Sequence, residues 1–170
     1  MKRIQHLRNK VLAGTCLSEE FHYLFFKEYF RLNDLPEEER YAASYEYAYS
    51  KLTPSISDGE LIVGKRDVPL TAQAQKEWET VYRPFAVYRG AKAGGGQASH
   101  MAIDYELLLS SGITGIIAKI DGLLQNCDGE KIPFYRCCKQ CLQAVVKHSE
   151  NYAALAQKLS QESYPSIKNE

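Results

Sequence analysis

The feature that most constrains this chain is the stretch that begins near Pro133 and runs to about Gln161, which reads as one continuous helix. A helix of that length must rest one face on other helices. Just upstream, Ile113, Ile116, Ile117, Ile120 and Leu123 recur at helical spacing and predict a second helix with one buried stripe. Cys127-Asp128-Gly129 turns the chain between the two.

The rest of the chain follows the same pattern. Residues 2–13 read as a short basic helix ending near Gly14. Ser18, with Glu19 and Glu20 behind it, is a good helix start, and that helix runs through FHYLFFKEYF to about Arg31. Asn33 and Asp34 mark a turn. Pro36 then opens a third helix with three glutamates in its first turn, and a tyrosine-rich face continues to about Leu52. Residues 53–58 break the pattern. Within DGELIVGK, Leu61-Ile62-Val63 is a short apolar extended run closed by Gly64. Residues 71–82 predict a helix carrying Trp78, the sole tryptophan, and residues 84–99 a loop with Pro84, Gly90 and a glycine run. A short helix over 102–110 is stopped by Ser110-Ser111-Gly112. The tail SYPSIKNE is expected to fray. The expected architecture is mainly α, a single domain over 1–170, with one short extended segment near 60–63.

Charge excludes several function classes. The 21 basic residues balance the 21 acidic ones, so no global field points to nucleic acid or anionic lipid. The start, MKRIQHLRNK, lacks the apolar core of a signal peptide, and no uncharged apolar run reaches the ~18 residues of a membrane span. The expectation is a soluble cytoplasmic protein with no membrane and no nucleic-acid partner. Its five cysteines are then reduced thiols.

Four features bear on chemistry. Cys137, Cys138 and Cys141 spell CCxxC, with Cys127 upstream. The spacing falls inside a continuous helix and no companion CxxC or HxxxH supplies further ligands, so packed thiols are the reading and a metal site the alternative. Gly94–Gly96 form either a flexible loop or a backbone that approaches an anion closely, and they match no nucleotide-binding motif. Of the four histidines, His6 and His22 lie on helices and His148 on a polar helix face. His100 directly precedes a helix start, four residues before Asp104, and its imidazole can point into a cavity.

Three stretches together carry more than the single features do. SISDGELIVGK (55–65), SHMAIDYELLLSSGITGIIAKI (99–120) and FYRCCKQCLQAVVKHSENYAALAQKL (134–159) resemble the N-terminal region of glycyl radical enzymes. This is the pyruvate formate-lyase-like superfamily, with its glycerol, propanediol and hydroxyproline dehydratases and choline trimethylamine-lyase. Residues 18–52 follow the same order of helices and keep Glu28, Arg40 and Ala43 where those families place such residues. The resemblance implies the helical N-terminal shell of a ten-stranded α/β barrel. It implies radical chemistry that uses a glycyl radical, installed by an S-adenosylmethionine-dependent activating enzyme, and a thiyl radical. It makes His100 the substrate-facing position, by analogy with a histidine that contacts the substrate hydroxyl in the dehydratases, with Ser99 where glycine is common.

The departures shape the functional expectation. Neither the glycyl-radical signature (Arg-Val-x-Gly-Tyr/Phe) nor the thiyl motif (Gly-Cys-x-Glu) occurs in the sequence, and the segment holding Cys137-Cys138 matches a peripheral helix. The connection from DGELIVG to His100 is shorter than in the dehydratases. The chain therefore reads as the N-terminal part or small subunit of a dehydratase- or lyase-type enzyme. It holds no catalytic residue, metal or cofactor of its own, and its expected partner is a second chain carrying the barrel, or another copy of itself. The alternatives are a non-catalytic helical regulator derived from the same family and a fragment of a formate acetyltransferase-like enzyme.

Overall fold

A computed structural model describes residues 2–12, 18–57, 60, 63–64, 68–86 and 103–167. The regular structure among the described residues is helical, with no strand, so the mainly-α expectation holds. Of the extended run, Leu61 and Ile62 lie outside the described residues, and Val63 is about half exposed.

Among the described residues the α-helices run in the order α1 (Lys2–Leu12), α2 (Glu20–Arg31), α3 (Glu37–Lys51), α4 (Ala72–Glu77), α5 (Tyr105–Asn126) and α6 (Ile132–Ile167). A π-helical turn, Trp78–Tyr82, follows α4 directly. A 3-10 turn, Gly129–Lys131, leads into α6. The starts follow local chemistry. Ser18 Oγ accepts the Glu20 N–H at 3.0 Å before α2. Pro36, whose missing N–H costs nothing at a helix start, precedes α3 and its three first-turn glutamates. Thr71 and Asp104 cap α4 and α5 through their side-chain oxygens, which accept the N–H groups of Ala74 and Leu107.

Packing arranges these helices in a row. The π-turn lies against α2, α2 against α3, α3 against α6, and α6 against α5. Contacts fix the directions. Gln140 bonds Glu46 and His148 packs against Tyr49, so α3 and α6 run parallel. Lys139 of α6 pairs with Asp121 at 2.5 Å, so α5 and α6 form an antiparallel hairpin. The π-turn end and α5 are therefore the two ends of the row.

The core is aromatic and sits between α2 and α3. Phe21, Phe25, Tyr29, Ala48 and Leu52 are buried together, with Tyr41, Tyr45, Tyr49 and Phe85 packed around them. The rings meet at offset and edge-on angles, such as Phe25–Tyr45 at 5.0 Å and 64°, which suits their quadrupoles. Tyr29 is 1 % exposed, and its hydroxyl donates to Glu37 Oε1 at 2.9 Å, so burial leaves no polar atom unpaired there. The tyrosine-rich face of α3 is core, as its pattern suggests.

Four expectations need correction. The helix of residues 71–82 continues to residue 86, so Pro84 belongs to it and not to a loop. The π-turn explains this: Arg83 N–H bonds Trp78 O, five residues back, and the wider turn leaves backbone acceptors without α-type donors, which a proline tolerates. The short helix placed at 102–110 begins at Tyr105, and its backbone break at Gly112 (φ 64°, ψ 173°) is a kink within α5 where a full stop was expected. The apolar stripe ends on half-buried Leu124, while Leu123 is 47 % exposed. The last helix runs six residues beyond Gln161, to Ile167.

Candidate functional site

His100 and Ser99, the two site residues expected from the sequence, lie outside the described residues, as do the glycines at 94–96. The structure does describe both anchors of the segment that holds them. Before it, Phe85 packs on Phe30 at 4.7 Å and on Phe26 and Tyr29 slightly farther away. After it, Asp104 Oδ1 accepts the Leu107 N–H at 2.9 Å and the Asp104 carbonyl accepts the Leu108 N–H at 3.0 Å. Residues 87–102 thus connect an aromatic core to a capped helix.

Around the π-turn lies a polar cluster that periodicity could not reveal. Glu77 accepts from Tyr23 Oη at 2.6 Å and from Tyr82 Oη at 3.1 Å. Lys27 donates to Tyr23 Oη at 2.9 Å and lies 3.5 Å from the Glu77 carboxylate. The Tyr23 hydrogen bond, helped by Tyr82 and Lys27 and opposed by desolvation, holds the Glu77 carboxyl below its ordinary value. Burial, with the Glu77 carboxylate adding, raises the Tyr82 phenol. Trp78 Nε1 donates to Glu19 at 2.6 Å. These contacts bridge residues 50 to 59 apart in sequence and pin the π-turn to α2.

Of the three family-matched residues on α2 and α3, Glu28 is buried and takes a two-pronged hydrogen bond from Arg31, its Oε2 lying 2.8 Å from Arg31 Nε. Arg40 does not pair with it. The Arg40 Nε donates to the Tyr29 carbonyl at 2.5 Å, and its guanidinium lies 3.6 Å from the Tyr29 ring centre, a cation–π stack. Ala43 lines a cavity of about 310 Å³ between α3 and α6, with Leu35, Glu39, Arg136, Cys137 and Gln140. Of the three, Arg40 ties α3 to α2, Glu28 pairs within α2, and Ala43 faces the space between α3 and α6.

The cysteines sit on that scaffold. Cys137 is buried, and Cys138 and Cys141 are half-buried. Burial raises all three thiols, with neighbouring glutamates adding at Cys137 and Cys141, and Cys141 is pushed up to about 11. The raised values keep them as thiols at neutral pH, which makes them poor nucleophiles. Among the described residues no group of three or more His, Cys, Asp or Glu side chains is placed to hold a metal ion.

His148 also departs from expectation. Its ring is half-buried between Tyr49 at 5.3 Å and Tyr152 at 5.1 Å, and does not lie on a polar face. Burial lowers its pKa, partly opposed by a hydrogen bond to the Tyr49 main chain. Its buried Nδ1 has no hydrogen-bond partner.

By length and composition α5 is long and apolar enough to cross a membrane, with only 6 % of that window buried. Glu106, Lys119 and Asp121 interrupt it, leaving an uncharged stretch over 107–118, well short of the ~20 residues a span requires. One helix of this kind does not establish a span.

Comparison with known proteins agrees with this architecture. No curated protein matches the sequence. A glycyl radical enzyme from Archaeoglobus fulgidus shares the fold at 19 % identity, with a TM-score of 0.71 over 94 % of this chain and 28 % of the archaeal one. The chain thus spans little more than a quarter of that enzyme's length. The family model described as "Pyruvate formate lyase-like" matches residues 69–170, from the start of the α4 region through α6. With a helical row that superposes on part of a glycyl radical enzyme and a family match over more than half its length, this chain belongs to the pyruvate formate lyase-like family.

Proposed function

We propose that this chain is the N-terminal part, or a small subunit, of a glycyl radical enzyme of the dehydratase or lyase type, and that it does no chemistry alone. The observation that carries the reading is the superposition of nearly the whole chain on 28 % of a glycyl radical enzyme. The absence of both radical-loop motifs from the sequence supports the second clause. The thiyl and glycyl radicals reside on a body outside residues 1–170, and an S-adenosylmethionine-dependent activating enzyme installs the glycyl radical there.

In this reading His100 is this chain's contribution to the pocket, with Ser99 beside it. An imidazole can hydrogen-bond a substrate hydroxyl and pass it a proton as it leaves as water, which favours elimination over acyl transfer. The packed thiols of α6 take no part, because a radical-bearing cysteine must lie against its substrate.

Anaerobic affinity purification of the tagged chain from its own cells tests the reading. The expected result is recovery of the radical-bearing body, with a glycyl radical signal by electron paramagnetic resonance after activation. His100→Ala should then cut turnover about 100-fold or more while assembly persists. Recovery of a complete glycyl radical enzyme whose activity ignores His100 would make the chain a regulator. The chain alone, silent in the spectrum, would overturn the reading.

A further inference from the structure

The geometry points to α5 as a docking surface, and to its occupant as the body of the glycyl radical enzyme fold that lies outside residues 1–170. This rests on the functional reading above and adds to it the face through which the two parts meet.

The argument starts from position in the row. Of the described helices, α5 is the apolar one at an end, and it packs chiefly on α6. That contact is anchored by buried Ile120 and the Lys139–Asp121 pair. It leaves Leu109 83 % exposed, Tyr105 63 %, Ile103 57 % and Leu123 47 %. Scattered exposed apolar residues need no explanation, but four on or beside one helix that buries only Ile120 do.

Size names the occupant. In the archaeal enzyme the same helical row is 28 % of the chain, so 72 % (100 − 28) of that molecule remains to cover an open face. The opposite end of the row offers less to cover, since the π-turn already buries Trp78 and Tyr82 against α2. A lipid surface fits poorly, because Lys119 and Asp121 sit within the helix and Asp121 is tied to α6. The kink at Gly112 lets the half of α5 before it, which carries Tyr105 and Leu109, follow a partner surface while the half after it stays on α6.

Site-specific photocrosslinking tests this in the assembled protein under anaerobic conditions. Benzoylphenylalanine replaces Leu109, Leu123 or, at the far end of the row, exposed Val81, and crosslinked peptides are identified by mass spectrometry. Positions 109 and 123 are expected to capture peptides from the radical-bearing body. Leu109→Asp combined with Leu123→Asp should lower its recovery about tenfold or more with the helical circular dichroism unchanged. Crosslinks to the body from position 81 alone would overturn the docking face and leave the proposed function standing. Crosslinks from 109 and 123 only to a second copy of the chain, or only to lipid, would overturn it as well. Absence of crosslinks to any other polypeptide from all three positions would overturn both.

Discussion

The two ends of the helical row answer the same problem differently. At the π-turn end, Trp78 and Tyr82 bury their rings on α2 and every polar tip finds a partner: Trp78 Nε1 on Glu19, Tyr82 Oη on Glu77. At the other end, α5 is more apolar yet buries only Ile120. Amphipathic residues close an edge against water because they satisfy both an apolar and a polar neighbour. Aliphatic residues cannot, so a helix built from Leu and Ile stays an unfinished surface until something apolar covers it. Composition alone would rank α5 as the core of this protein, whereas packing makes it the margin.

The largest test of that contrast is truncation at each end. Trp78→Ala should cost about 3–5 kcal/mol of unfolding free energy, and Leu109→Ala should stay within about 0.5 kcal/mol in the chain alone. Urea denaturation of both variants reads the difference. Equal costs would mean that α5 is covered in the isolated chain. Next in size is Gly112→Ala. The new methyl would meet only Thr114 Oγ1, at 4.0 Å, but φ 64° with ψ 173° is a region that essentially only glycine visits, so the loss should be about 1–3 kcal/mol. Gly122→Ala on the same helix is the opposing case. Nothing lies within 4 Å of the added carbon, and its backbone is helical, so thermal melting should show a gain of about 0.5–1 kcal/mol.

The smallest effects belong to the middle of the row, where α3 meets α6, and they are pH dependences. The folded-state pKa of His148 is lowered by burial, so the unfolded chain takes up the proton more readily. Its contribution is complete above the ordinary imidazole value of about 6.5 and is lost as pH falls through it. Cys141 is the reverse. Its thiol is raised to about 11, so its contribution is complete below the ordinary thiol value of about 8.5 and is lost as pH rises from there towards the folded value. Stability should therefore plateau between the two. His148→Phe should flatten the acid limb and Cys141→Ala should reduce the alkaline one, as followed by denaturation across pH.

Much of the architecture was legible because it rests on local chemistry. Pro36 with its glutamates and the Cys127-Asp128-Gly129 turn each act within a few residues, and each lies where the pattern placed it, whereas the Asp104 cap sets a helix start that the pattern placed at 102. The short extended run was not confirmed, since half of it falls outside the described residues. What sequence could not show depends on partners far along the chain. His148 reads as a polar-face residue until Tyr49, 99 positions earlier, packs against it. The Glu77 cluster joins residues 50 or more apart. The π-turn has no signature of its own in residues 78–82. Conversely, the family resemblance came from motif order and is borne out, whereas the site it implied, His100 with Ser99, stands as a proposal.

The π-turn has one more consequence. Relative to an ordinary helix it contains one surplus residue, and each residue rotates the following side chains by about 100°. Phe85 reaches Phe30 and Phe26 in the rotational frame set by that surplus. A lineage that dropped one codon between Trp78 and Tyr82 would keep a perfectly good helix and swing Phe85 out of the aromatic cluster, re-aiming the chain as it leaves Ala86. Length at this spot is therefore under the same selection as identity, and relatives that differ here by a single residue should differ together at position 85.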